Sequence, residues 1–380
     1  MSESHFPPDY ATARANFLAA CKASGLGTMT RVHPSAATRD GKPLFLDTAI
    51  IGARDAKTAL LLISATHGVE GYFGSGVQTG LLREGRLRAP KGTKIVLLHA
   101  LNPYGFAWDR RVNEDNADIN RNFIDFAKPP AHRAYADLAE AINPKDMSRE
   151  SVAAANMKLL VYAAEHGFFA LQEAISRGQY EYAHGIYYGG ATESWSAAML
   201  RDVIREELRH VTRLVAIDFH TGLGAHGHGE MINEDMPDSP AYQRAVAIWG
   251  ERVRSSEAGE SVSPPLTGTL DKAVPTLMPG AEVTFAALEA GTRPTRDVFD
   301  ALRRDNWLHC VAGKDHEAAE EIRLQIRDAF YPDTPEWKRM VWDSGREAVE
   351  QALDALTARA AIPEAHASTS TSFDKLRMKD

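Results

Sequence analysis

Apolar residues in this chain collect into two kinds of pattern. Short, nearly continuous runs occupy residues 59–65, 94–100, 213–219 and 282–288. Runs of this length and density suit strands buried on both faces, as in a parallel sheet covered by helices. Residues 44–51 alternate in part and read as a further strand. Helical spacing predicts helices over residues 8–24, 69–83, 132–142, 148–166, 168–177, 194–210, 240–256, 296–311, 316–330 and 335–360. Strands alternating with helices predict an α/β fold with a mixed, mostly parallel central sheet flanked by helices. Residues 125–210, mostly helical, read as an insertion. One domain is expected over residues 1–365. The Ser/Thr-rich and then charged stretch at 366–380 reads as a disordered tail. No internal repeat is apparent.

Composition narrows the class without naming it. The chain has 380 residues, 44% hydrophobic and 25% charged, which is ordinary globular usage with ample length for a large core. The formal net charge is -8 and the basic residues are scattered, so nucleic acid is not an expected partner. Cys21 and Cys310 are the two cysteines, too few for a disulfide framework or a cysteine-rich metal site. The first residues carry no basic stretch followed by an apolar one, so no secretion signal is expected. No run of about 18 apolar residues occurs, so no membrane span is expected. A cytoplasmic location is the default. Oligomeric state is not legible.

The candidate chemistry sits just past the apolar runs. In open α/β sheets, sites form beyond the carboxyl ends of the strands. His67, Asn102, His220 and Glu289 each come closely after an apolar run. His67 and Glu70 are three apart, and such residues share a helix face. With His220 they make a two-histidine, one-carboxylate set suited to a catalytic zinc with an open position. Other divalent metals are compatible with the same ligands. Strand alternation puts Asp218 on the side of His220, which suits a supporting role. His226 and His228 are rival ligands, but they sit in a glycine-rich stretch with no rigid element beneath them. In the run from Asp118 to Phe123, Arg121 is able to grip a carboxylate through two parallel hydrogen bonds, with Asn120 offering further donors. Arg110 and Arg111 supply another cation just upstream.

Together these motifs resemble the zinc carboxypeptidases of the M14 type. The order is His-x-x-Glu at 67–70, Asn102-Pro103-Tyr104-Gly105, Arg111-Val112-Asn113, the 118–123 segment, His220, then Glu289-Ala290-Gly291-Thr292. More narrowly, the chain is similar to a bacterial branch of that superfamily described as a domain of unknown function (DUF2817-like), over roughly residues 40–330. The resemblance implies His67, Glu70 and His220 as zinc ligands. It implies Asp118 as the carboxylate that orients His67. Asn120 and Arg121 would bind the substrate's C-terminal carboxylate, Arg111 (less suitably Arg110) would polarise the scissile carbonyl, and Glu289 would be the general base.

The expected activity is therefore zinc-dependent hydrolysis of an amide bond beside a free carboxylate, on a small peptide or N-acyl amino acid. One alternative is an N-acyl amino acid deacylase similar to succinylglutamate desuccinylase and aspartoacylase. An alternative of another class is a non-catalytic ligand-binding protein on the same fold. The chain also departs from the digestive members of the family. Tyr242, the one tyrosine between His220 and Glu289, falls in an expected helix. Tyr187 and Tyr188 in the insertion could reach the site, or serve as hairpin or core contacts. Residues 264–279 are expected to form one wall of the pocket.

Overall fold

The structure is a computed structural model that describes residues 2–360, so the expected tail at 366–380 lies outside the described residues. Eight strands form one sheet: β1 (Thr28–Ala37), β2 (Pro43–Gly52), β3 (Thr58–Ile63), β4 (Thr93–His99), β5 (Arg213–Gly222), β6 (Gly229–Asn233), β7 (Val253–Ser255) and β8 (Glu282–Gly291). Their order is β1-β2-β4-β3-β5-β8-β6-β7. The centre, β4-β3-β5-β8, is parallel throughout. Antiparallel pairings join β1 to β2, β2 to β4 and β6 to β8. The sheet is thus mixed and mostly parallel, as the apolar runs predict.

The helices are α1 (Tyr10–Ala23), α2 (Gly71–Arg83), α3 (Pro103–Trp108), α4 (Arg133–Ile142), α5 (Arg149–His166) and α6 (Phe168–Ser176), followed by α7 (Trp195–Val203), α8 (Pro240–Trp249), α9 (Leu270–Leu277), α10 (Thr295–Trp307), α11 (Ala319–Phe330) and α12 (Pro335–Ala360). Several start at side-chain caps: Asp9 accepts from Thr12 N–H, Asn102 from Gly105 N–H and Ser239 from Tyr242 N–H.

The continuous apolar runs are explained by burial on two faces. In β3, Leu60 and Leu62 join one core cluster, while Ala59, Leu61 and Ile63 join the other. In β5, Val215, Ile217 and Phe219 face the first cluster, and Leu214 and Ala216 the second. The first cluster is closed by α1, α2, α8 and α12, through Phe17, Phe73, Trp249 and Trp337. The second is closed by α7 and α9, through Leu200 and Val274. Each such Leu or Ile contributes about 1.5–3 kcal/mol by leaving water. A third cluster binds α4, α5 and α6 to α10 and α11 through Leu138, Leu159, Leu302 and Ile326.

Three strands lie outside the apolar pattern. β1 is a half-exposed edge strand with Pro34 inside it and an irregular register between Val32 and Ala37. Such an edge needs no apolar run. β6 is only 5 residues long, and β7, with 3, falls inside the stretch expected as helix over 240–256, where α8 ends at Trp249 and Gly250 takes a left-handed φ (64°). Helix α9 is a further addition, within the segment anticipated as a pocket wall.

Candidate functional site

Parallel strands deliver their carboxyl ends to one edge of the sheet, and the polar residues gather there. Asp218 and His220 share the β5 face that carries Leu214 and Ala216 below them. On β8, Glu289 is the direct neighbour of His220 in the ladder. His67 does not end β3 itself. It sits four residues beyond Ile63 and precedes a short 3-10 turn, Gly68–Glu70, that brings Glu70 onto the same side. That turn packs against the start of α3 so closely that a Cβ at Gly68 would lie 1.9 Å from the Gly105 carbonyl carbon. Glycine is required there by space.

His67, Glu70 and His220 are all buried and converge. His67 Nδ1 lies 3.1 Å from His220 Nδ1 and 2.9 Å from Glu70 Oε1, while His220 Nδ1 lies 3.1 Å from Glu70 Oε2. In a tetrahedral shell with bonds of ~2.0–2.1 Å, neighbouring ligand atoms stand about 3.3 Å apart. The donor set therefore fits a divalent metal. Each ring is backed by a carboxylate on its other nitrogen. His67 Nε2 is 3.1 Å from Asp118 Oδ1, and His220 Nε2 is 2.7 Å from Asp218 Oδ2. With the ring protons on Nε2, both Nδ1 lone pairs face inward, an arrangement that a cation would stabilise. Asp218 is held in turn by the Thr66 hydroxyl, and Glu70 accepts from Thr221 N–H.

Electrostatics divides the carboxylates of this site. Burial alone would raise Glu70, but His67, His220 and Arg111 outweigh it and hold Glu70 below the usual carboxylate range. Asp118 behaves alike: Arg111 and His67 overcome its burial. Glu289 goes the other way. Burial, reinforced by the negative charge of Glu70, pushes it up to about 7. It accepts one hydrogen bond from Leu223 N–H, at 2.8 Å.

The arginines have distinct settings. Arg110 turns away from the cluster, pairing with Asp305 at 3.0 Å and with Asn116. Arg111 lies against the cluster, donating to Glu70 Oε1 at 2.9 Å and to Asp118 Oδ2 at 3.0 Å. Its Nη2 is also 2.8 Å from His67 Nε2, so it competes with Asp118 for that nitrogen. Arg121 is buried and braced. Its Nε and Nη2 donate to the Ser176 carbonyl, and its Nη1 to the carbonyl of Asn120. Three of its five N–H groups are thereby used, which holds the guanidinium in place and leaves two. The Asn120 amide oxygen accepts from Leu270 N–H, and its amide nitrogen makes no hydrogen bond among the described residues.

These groups line one pocket of about 80 Å³, which includes His67, Arg111, Asn120, Arg121, His220 and Glu289. Leu266, within the segment anticipated for it, supplies part of its wall, with Ser263 just before that segment. Tyr187 also reaches it. Its backbone is left-handed (φ 57°), and its ring lies 5.2 Å from the Arg111 guanidinium and 5.6 Å from that of Arg121. Tyr188 instead serves the scaffold, bridging to Gln179 while its carbonyl accepts from Asp118 N–H. His226 and His228 are exposed between β5 and β6 and do not join the converging ligands, His226 Nδ1 lying 2.8 Å from the Thr292 carbonyl, and Tyr242 lies buried in α8.

Two contributors were given no role by the sequence: Asn122, though inside the 118–123 motif, and Glu234. Asn122 latches the 118–123 segment to the insertion, donating to the Gly189 and Thr192 carbonyls and accepting from Ser194 N–H. Glu234 lines the pocket one step past β6, with the Thr269 hydroxyl donating to it at 2.6 Å. Burial pushes its carboxyl up to about 7. Alternation from Ile232, which lines the same pocket, was the available signal for Glu234.

The chain is similar to several solved structures, at low identity and with TM-scores below 0.5. One is bovine thrombin-activatable fibrinolysis inhibitor, solved with a tick carboxypeptidase inhibitor. It is 9% identical with a TM-score of 0.49, over 93% of this chain and 99% of that one. Another is a metallo-carboxypeptidase from Pseudomonas aeruginosa, solved with (2-guanidinoethylmercapto)succinic acid, 13% identical with a TM-score of 0.45 over 93% and 71%. A third is a metallo-carboxypeptidase from Burkholderia cenocepacia, 11% identical with a TM-score of 0.45 over 93% and 71%. The chain itself belongs to the family described as protein of unknown function (DUF2817), whose profile matches residues 6–344. No curated protein sequence matches it.

Proposed function

We propose that the protein is a zinc-dependent hydrolase of carboxypeptidase type, cleaving an amide bond beside a free carboxylate in a small peptide or N-acyl amino acid. One observation carries this reading: a metal-ready set (His67, Glu70, His220), a carboxyl poised near neutrality (Glu289) and a braced arginine (Arg121) line a single small pocket. A bound zinc would supply Lewis acidity and a more acidic water, with a pKa near ~7.

The chain's own residues do the rest. The two free N–H groups of Arg121 and the Asn120 amide nitrogen receive the substrate carboxylate and so orient the amide. Arg111 turns its Nη2 off His67 and donates to the carbonyl oxygen as negative charge develops there. Asp118 and Asp218 hold the two imidazoles in the tautomer that presents Nδ1. Glu289 takes a proton from the attacking water and delivers it to the leaving nitrogen. Tyr187 and the insertion narrow the entrance, which suits a small substrate better than a long protein terminus.

The test is hydrolysis of N-acyl amino acids and dipeptides, each offered with a free and an amidated C-terminus, by zinc-loaded protein. Cleavage restricted to the free acids is expected. Arg121→Ala should raise KM for the free acids by about tenfold or more, with little change for any amidated compound, since a charged hydrogen bond contributes ~1.5–3 kcal/mol. Equal effects on both would remove Arg121 from the anchoring role. Stoichiometric zinc without any turnover would favour the binding-protein alternative.

A further inference from the structure

Beside the small pocket lies a second, much larger cavity of about 510 Å³. It runs between α5, α6 and α10, and it meets the pocket at Ser176, Tyr187, Leu223 and Val298, which line both. Asn120, Arg121 and Glu234 line the pocket but not this groove. Nor do His67, Arg111, His220 or Glu289 line it, so a substrate held by its carboxylate at Arg121 and passing the cluster finds the groove open to its remaining length.

The groove's chemistry is apolar. Leu159, Leu171, Ile175, Val298 and Phe299 form its walls, and Leu160 (50% exposed) and Phe168 (73% exposed) extend the apolar surface to its lip. Its polar side chains are largely engaged: Asn156 accepts from Arg303, Gln172 donates to the Val262 carbonyl, and the two charged lining residues, Arg296 and Asp300, face each other at 3.8 Å. Along the middle of the three helices the backbone groups are satisfied internally, and N–H groups are left over only at helix starts such as Thr295 and Arg296. A peptide backbone laid here would lose its hydrogen bonds to water and find no sheet edge to replace them. A hydrocarbon chain carries no such groups.

We propose that this groove holds the aliphatic acyl chain of an N-acyl amino acid, so that the bond cleaved joins a medium- or long-chain acyl group to a small amino acid. This rests on the hydrolase reading above. Water adds across the amide. The acyl carbon gains the hydroxyl oxygen and leaves as a fatty acid, and the nitrogen takes a proton and leaves as the amino acid.

The experiment uses zinc-loaded protein with N-acetyl-, N-butanoyl-, N-octanoyl- and N-dodecanoyl-alanine below their micelle concentrations. Burial of each methylene is worth about 0.8 kcal/mol, so kcat/KM should climb about fourfold per methylene until the groove is filled. Leu160→Glu and Phe168→Ser, both at exposed positions that the fold tolerates, should each lower the dodecanoyl-to-acetyl ratio of kcat/KM by tenfold or more. Calorimetry of dodecanoyl-alanine and acetyl-alanine on Glu289→Gln protein reads the groove without turnover, and tighter binding of the long chain is expected. Preferential long-chain binding with no hydrolysis by the wild type would leave the groove assigned and sink the hydrolase. A flat length series with equal binding would overturn the acyl site. So would faster cleavage of free dipeptides with an apolar first residue, or lip variants that slow acetyl and dodecanoyl substrates equally.

Discussion

Two buried glutamates carry opposite demands on the solvent, and each can be tested singly. Glu289 has to accept a proton while remaining beside the metal-ready cluster. Glu289→Gln preserves size and the acceptor for Leu223 N–H but removes the base. Turnover should fall by 10²–10⁴-fold, the usual contribution of general base catalysis, with zinc content unchanged by metal analysis. Retained turnover would disprove the base. Glu234 makes a claim on stability. Its carboxyl binds a proton more tightly folded than unfolded, because burial raises it to about 7, with Asp271 close by and Lys272 and Arg121 opposing only in part. That contribution is complete below the ordinary glutamate range and is lost as pH rises toward and through about 7. Glu234→Gln keeps an acceptor for Thr269 and cannot ionise. The variant should lose less stability than wild type between pH 5 and pH 8, by up to about 3 kcal/mol. Parallel urea titrations at the two pH values, showing equal losses, would refute it.

Among the elements, α12 does more than close a core. Trp337, at its first turn, is fully buried, packs edge-on to Tyr331, and donates its indole N–H to the Gly291 carbonyl at 2.9 Å. Gly291 lies two residues beyond Glu289, so this helix steadies the strand end that carries the proposed base. Trp337→Ala should cost about 3–5 kcal/mol by the cavity it leaves. Trp337→Phe should cost less, since it keeps most of the apolar contact. Denaturant unfolding of both variants checks this, and near-wild-type stability of the alanine variant would refute it. The helices of residues 125–210 act on the site through single groups. The end of α6 offers the Ser176 carbonyl that braces Arg121, and the segment after it supplies Tyr187 and the Tyr188 carbonyl that holds Asp118. At Gly178 (φ 113°) a Cβ would stand 2.7 Å from Arg121 Cδ, so that brace depends on a glycine.

At the scale of the whole molecule, the cluster ties together segments far apart in the chain: the turn after β3, and β5. A metal bound there adds its binding energy to folding. Chelation should lower the melting temperature, and zinc should restore it; zinc at 100 times its Kd corresponds to ~2.7 kcal/mol. A melting curve indifferent to both chelator and zinc would show that the cluster holds no metal that matters to the fold. No helix among the described residues is long and apolar enough to cross a membrane.

Much of this arrangement was written in local patterns. Apolar runs such as 59–65 and 213–219 reveal strands because burial on both faces removes any polar alternation, and a parallel sheet then sends His220 and Glu289 to a common edge. The spacing of His67 and Glu70 likewise survives folding, since one short turn relates them. Tertiary structure alone decided the rest. Edge strand β1 and the short β6 and β7 are stabilised by neighbours rather than by their own composition, so they leave little periodic trace. Whether Arg110 or Arg111 faces the cluster depended on Asp305, nearly two hundred residues away, which draws Arg110 aside. The bracing of Arg121 by Ser176, the reach of Tyr187 and the groove between α5, α6 and α10 all arise from contacts between segments distant in the chain, and such contacts are fixed by packing rather than by any local pattern.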